Sequence, residues 1–467
     1  MDGSIAAANR VMKVLGVQMP RKVTFRYVML KLVKVKWMIG SKSDKVILGL
    51  PPMRDQSLAT AVRVLFHQCM YCLMQEEENQ AVYSALLATE LTLKGKLSPY
   101  SAGALTIYGV VELSNGSHRR AYRFGKLALA LLDRIKNKDA ECPTTVTALT
   151  LLTHRYEPVR DMPDVLFQAA NTGFEIGDVV YGSFCLNQCH GMEIVLGANL
   201  EELEDFMPAT YQKIRDLSQD ALVMWAQPAI QFVLNTRSQE SVAWKDLTNL
   251  TGEVMDEVAY LRQARDAKHQ ILVLLALIYK AELACLFGFW SQSESVFKEI
   301  SSTAESFQYS YGAISCHCSG GIASYSLYKE NGNRKHLNFA RKNRKTLRQA
   351  VSRGCPDASS YLTLLDAEDL SVRKSIAPDT VTAAYQRSID AATGNPRSEA
   401  LANERAAFFQ VKLGNRADAE RYFERALELY KYDWGSIAKY DWLKEKKAER
   451  RETAPRRLPS TTRTKPE

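Results

Sequence analysis

Apolar and polar positions along this chain follow the 3.6-residue period of helices, not the two-residue period of strands. The pattern is sharpest between Gly394 and Leu443. Asn395 and Pro396 open a run whose apolar residues are Ala400, Leu401, Ala407, Phe408 and Val411, the spacing of an amphipathic helix. Gly414-Asn415 ends it, because both residue types tolerate a positive φ. A second run follows at once, with Ala419, Tyr422, Phe423, Ala426, Leu427 and Tyr430 on one face. Two helices joined by so short a turn lie antiparallel and share an apolar seam. One hairpin cannot bury that seam, so it requires stacked neighbours.

The same design recurs. Counting 5, 8, 9, 12 and 13 residues beyond Gly116 gives Ala121, Phe124, Gly125, Ala128 and Leu129. Beyond Gly288 the same offsets give Ser293, Val296, Phe297, Ile300 and Ser301. Beyond Gly414 they give Ala419, Tyr422, Phe423, Ala426 and Leu427. Small residues let the adjoining helix approach and large ones fill the gap, which is the logic of tetratricopeptide (TPR) second helices. Gly197 (with Phe206 and Ala209) and Gly332 (with Leu337 and Ala340) are weaker copies. First helices are expected from Gly95, Gly177, Gly312 and Gly394, giving a drifting period of about 40 residues. Further helices are expected at Phe25–Ile39, Ser57–Met74 and Asn79–Lys94. No stretch shows sustained strand alternation with hairpin signals. The expectation is an all-α, TPR-like α-solenoid of antiparallel hairpins with a disordered basic C-terminal tail.

Composition divides that array. Residues 1–14 are expected to be disordered, 15–236 to form an N-terminal helical repeat region, 237–447 a C-terminal one, and 448–467 a disordered tail rich in Arg, Pro, Thr and Lys. Short linkers are expected at Arg237–Ser241, Cys355–Ser360 and Pro378–Thr382. The 467 residues carry a formal charge of +9, concentrated at Arg21–Lys45, at Arg334–Arg353 and after Lys444. Such clusters attract nucleic acid, acidic lipid or an acidic partner, although solvated helix faces are the commoner explanation. Nine irregularly spaced cysteines and no signal peptide imply reduced thiols and a cytoplasmic location. The most apolar run, Ile271–Trp290, carries Lys280 and Glu282 at its centre, so a buried helix is expected there and no membrane span.

Compact catalytic motifs are missing: GxxxxGK[ST], GxGxxG after a strand, HRD, DFG, GxSxG and HExxH do not occur. Cys69-x-x-Cys72 lies among Phe66, Met70 and Leu73 and suits core packing. Cys185, Cys189 and His190, and Cys316-His317-Cys318, fall short of four converging donors. No catalytic, cofactor or metal residue is therefore assigned. Candidate partner-contact residues are Tyr430, Trp434 and Lys439 near the end of the array, with Arg341 and Arg344 on the basic stripe. For Trp434 the favoured alternative is a cap that seals the last apolar face.

An ordered set of motifs resembles the TPR-like helical region of very large multidomain signalling proteins. It comprises Leu15-Gly16 with Pro20, Leu50-Pro51-Pro52-Met53, Ser98-Pro99-Tyr100-Ser101-Ala102 leading to Tyr108-Gly109, and Tyr122-Arg123-Phe124-Gly125-Lys126-Leu127-Ala128-Leu129. Gly173-Phe174-Glu175-Ile176-Gly177-Asp178 with Tyr181-Gly182 follows, then Glu399-Ala400-Leu401-Ala402-Asn403-Glu404. The last is Tyr430-x-x-x-Trp434-Gly435-Ser436-x-Ala438-Lys439. In that family a Ser/Thr-kinase-like domain and an AAA-type ATPase precede the helical region, and GAF and histidine-kinase or cyclase modules follow; this chain shows none of their motifs. The resemblance implies the connector alone. The expected function is a non-catalytic scaffold for protein–protein interaction or signal relay, with a concave face of first helices holding a protein or peptide. Alternatives are a fragment of an ATP-dependent multidomain signalling kinase, and a nucleic-acid binder using Arg334–Arg353 with Tyr325 and Tyr328.

Overall fold

The structure is a computed structural model that describes residues 2–20, 22–74, 77–216, 220–239, 242–303 and 311–453. Its first helices are α1 (Asp2–Val14), α2 (Phe25–Ile39), α3 (Asp44–Leu48), α4 (Gln56–Met74), α5 (Glu78–Gly95), α6 (Ser101–Ser114) and α7 (His118–Ile135). The middle holds α8 (Lys138–Thr147), α9 (Met162–Glu175), α10 (Val179–Leu196), α11 (Leu200–Asp216), α12 (Asp220–Arg237) and α13 (Glu257–Asp266). Next come α14 (Gln270–Leu286), α15 (Trp290–Thr303), α16 (Gly312–Asn331), α17 (Arg334–Ser352) and α18 (Ala358–Ser371). The chain closes with α19 (Pro378–Ala392), α20 (Pro396–Leu413), α21 (Arg416–Glu428) and α22 (Ile437–Thr453). Among the described residues no strand forms; Pro52 and Leu97 make one isolated bridge.

Consecutive helices pair as antiparallel hairpins, and the hairpins stack into an all-α, TPR-like solenoid. The small-and-large register explains the stacking. Ala121, Phe124, Gly125 and Ala128 on α7 are buried, as are Val296, Phe297 and Ile300 on α15 and Ala419, Tyr422, Phe423 and Ala426 on α21. Leu337 and Ala340 on α17 follow suit. The copy after Gly197 fails: Phe206 and Ala209 face outward, and Met207 and Thr210 turn in instead. This shift by one residue sits on a helix that contains Pro208, whose ring disturbs the regular turn.

Other expectations are corrected by packing. Where an unordered start was expected, residues 2–14 form α1, which folds against α4 and buries Met12, and the Gln68 amide donates to Asn9 at 3.2 Å. Helix α22 runs on to Thr453, past the expected boundary at residue 448; the rest of the expected tail, residues 454–467, lies outside the described part. Pro378–Thr382 is not a linker but the first turn of α19, where proline suits the N1 position. Cys355–Ser360 likewise carries a buried Cys355 and leads into α18. Residues 240 and 241 are outside the described part, but the loop beyond them is packed. Leu247, Leu250 and Met255 are buried, and the Asn235 amide donates to the Leu247 and Asn249 carbonyls at 2.9 and 2.7 Å. The expected seam at residue 237 has no counterpart in the core, because one apolar cluster runs from Ile194 to Leu443.

The array also brings segments distant in sequence back into contact. The Val159 N–H donates to Asp357, the Asn395 amide to the Val195 carbonyl, and the Ser436 hydroxyl to the Thr236 carbonyl. Arg237 donates to the Gly435 carbonyl, and the Trp244 indole to Glu445. These partners are separated by 198, 200, 200, 198 and 201 residues. Segments nine helices apart, four hairpins and α13, are therefore brought into contact. Gly197 shows how close the approach is: it takes φ +74°, and a Cβ there would lie 2.9 Å from the Arg397 backbone nitrogen.

Candidate partner-binding groove

Helix α20 supplies the charges at the centre of these contacts. Its small residues Ala400, Ala402, Ala406 and Ala407 are buried and let neighbouring helices close in. Arg397, Glu404 and Arg405 on the same helix are buried too. Arg397 meets Glu282 of α14 at 2.6 Å, and Ser315 of α16 donates to the same carboxylate at 2.8 Å. Arg405 and Lys329 each reach Glu368 of α18 at 2.7 Å, with the Tyr385 hydroxyl at 3.0 Å. Lys439 of α22 lies 2.9 Å from Glu404, which also accepts from Tyr430 at 2.8 Å. Burial pushes the Glu368 carboxyl upward, but Arg405 and Lys329 outweigh it and hold the group down at about 2. Burial pulls the Lys439 ammonium below its usual range, and Glu404 offsets part of that. The pairs tie α14, α16, α18, α20 and α22 together.

This filling corrects the expected site. First helices α14, α16, α18 and α20 pack against one another in turn, and among the described residues their middles are largely buried. The open space lies at their C-terminal ends, where a groove of about 1640 Å³ is bordered by the α14–α15 turn, α20, α21 and α22. Its walls carry Phe287, Trp290, Phe408, Phe409, Phe423 and Trp442. Arg405 lies over the Trp290 ring at 5.4 Å and Lys439 over Trp442 at 3.6 Å. Lys412, Arg416 and Arg450 stand exposed at the rim without an ion-pair partner among the described residues. Lys446 pairs with Glu449 at 2.7 Å, and Lys447 pairs with Glu420. The groove thus offers aromatic surface with a surplus of positive charge.

The structure separates the expected contact residues into two groups. Tyr430, Trp434 and Lys439 are 0% exposed. As folded here they have no surface for a partner and instead pack inside the fold. A π-helical turn at Leu429–Asp433 swings Trp434 inward, and the Leu200 N–H donates to its carbonyl at 2.8 Å. Arg341 and Arg344 both reach Asp369 at 2.8 Å, and Arg348 reaches Asp366 at 2.6 Å. The stripe lacks acids in sequence yet receives them from α18 in space. Sequence reasoning placed Glu282 on a buried helix but missed its pairing with Arg397, and missed Glu404, Arg405 and Glu368 as members of the buried charge set. Their one local signal is charge on an otherwise apolar helix face.

All nine cysteines are buried. Cys69 and Cys72 sit in the core as expected, and burial raises both thiols, that of Cys72 to about 11. Cys189, His190 and Glu193 bring one donor atom each within 4.8 Å. All three come from α10, and a structural zinc site takes four donors. Cys316 and Cys318 belong to the core, and His317 meets Asn343 at 2.9 Å. Among the described residues no helix is long and apolar enough to cross a membrane.

No protein-family model matches the chain. Comparison with curated proteins gives no match either. Among solved structures the chain is similar to the apo form of the quorum sensor NprR from B. thuringiensis, at 11% identity and a TM-score of 0.45. That match covers 79% of this chain and 99% of the other. It is also similar to a circular tandem repeat protein with a novel repeat topology, at 11% identity and a TM-score of 0.19, over 85% of this chain and 96% of the other.

Proposed function

We propose that the chain is a non-catalytic helical-repeat scaffold that takes a protein partner through the groove between α20, α21 and α22. One observation carries this reading: a groove of about 1640 Å³ combines aromatic walls with the exposed cations Lys412, Arg416 and Arg450. Aromatic and Arg groups are the side chains that contribute most at protein interfaces. A surplus of positive charge selects an acidic segment and steers its approach. The fitting ligand is an acidic stretch of polypeptide with large apolar anchors.

An array of acidic peptides bearing Phe, Leu or Trp, probed with the intact chain, tests the proposal. Binding should weaken with salt and drop at least about tenfold in the K412E/R416E double variant. Equal binding by the two proteins, or no peptide retained, would defeat it.

A finer reading follows from the ordered motifs that resemble the helical region of multidomain signalling proteins. Under it this scaffold is a relay element of an ATP-dependent signalling kinase. A P-loop in frame upstream of Met1 in the coding DNA would favour that reading.

A further inference from the structure

At the opposite end of the array, helix α2 is apolar on two faces. Val28, Leu32, Val35 and Ile39 are buried, largely against α5. On the other side Leu30, Val33 and Trp37 are 70%, 63% and 83% exposed, with Phe25 at 67% beside them. Together with Arg26 these residues follow steps of four, three and four, so 26, 30, 33 and 37 form one stripe. Uncovered apolar stripes of this kind are uncommon on folded chains and mark contact surfaces.

Charge identifies the occupant. Residues 3–43 contain nine Lys and Arg and no Asp or Glu. Lys31 and Lys34 are engaged with Glu90, and Lys36 faces Glu112 at 3.8 Å. Lys22 and Arg26 are exposed at the start of the stripe without an ion-pair partner among the described residues. A second copy of this face would meet like charge, which opposes self-association. Protein interfaces surround an apolar centre with a mixed polar rim; apart from Thr24, the residues from Lys22 to Ile39 are apolar, aromatic or basic. Cations flanking exposed aliphatic and aromatic side chains are what a helix lying in an anionic bilayer surface needs.

We propose that the outer face of α2 docks the array onto membranes rich in anionic lipid. Leu30, Val33 and Trp37 enter the headgroup–acyl boundary while Lys22 and Arg26 meet lipid phosphate or carboxylate. The helix lies flat and does not cross the bilayer. This surface is distinct from the groove, so failure of either proposal leaves the other standing.

Sedimentation of the intact chain with two vesicle preparations, phosphatidylcholine alone and phosphatidylcholine with phosphatidylserine, decides the matter. The expected result is binding to the second only, weakened at least about tenfold by K22E/R26E or by raised salt. L30E/W37E should abolish it with an unchanged thermal melt, since both side chains point away from the core. Absence of binding, equal binding to neutral vesicles, or vesicle binding untouched by L30E/W37E would overturn the proposal. So would a dimer, or a complex with an acidic protein, that disappears in L30E/W37E when no vesicle binding is seen.

Discussion

Glu368 is wholly buried, and two cations keep it ionised. Replacing one partner of such a set strands the others without countercharge. Glu368→Gln should therefore cost about 3–5 kcal/mol in urea unfolding. If the loss is under about 1 kcal/mol, the set contributes little. His154 makes a separate prediction about pH. Burial, reinforced by Arg155, depresses its imidazole to about 3. The unfolded imidazole takes up a proton as pH falls through its ordinary 6.5, whereas the folded one resists until about 3. The unfolded state thus binds more protons in that window, and stability falls as pH drops from 6.5 toward 3. Glu368 loses its contribution lower, between its ordinary 4.5 and about 2. In His154→Asn the slope of stability against pH should flatten across this window, most cleanly read between about 5 and 6.5, where carboxylates have not yet titrated.

At the scale of elements, the turn that carries Trp434 joins α21 to α22 and locks both onto the α10–α11 connection. Trp434→Ala should cost about 3–5 kcal/mol and loosen α22, read by urea unfolding and by faster backbone exchange over residues 437–450. Helix α2 had bounds legible in the sequence, because Val28, Leu32, Val35 and Ile39 recur at helical spacing between Thr24 and Gly40. Its second apolar face was equally present, but periodicity alone does not say which of two apolar faces finds a neighbour. The hairpin after Gly394 was legible for a related reason: its turn glycine, its small residues and its aromatic residues all lie within one local stretch. The groove was not. Its walls come from segments more than 150 residues apart, and Arg405–Glu368 or Arg397–Glu282 pair across 37 and 115 residues. Arg341 and Arg344 looked unopposed because their acids, Asp366 and Asp369, arrive on the following helix.

For the whole molecule, the recurrent separation near 200 residues matters more than any single hairpin. It brings segments distant in sequence into contact, and the groove proposed for a partner lies at the ends of the first helices. It also places a basic apolar helix at one end and a basic aromatic groove at the other, so the two proposed attachment points are separate. Backbone exchange followed by mass spectrometry locates the groove site directly, using the tightest acidic peptide from the array as probe. The account predicts slowed exchange at residues 286–290, 405–416 and 442–450 when that peptide is bound. Protection confined to 334–353 or to 25–39, with these segments unchanged, would contradict it.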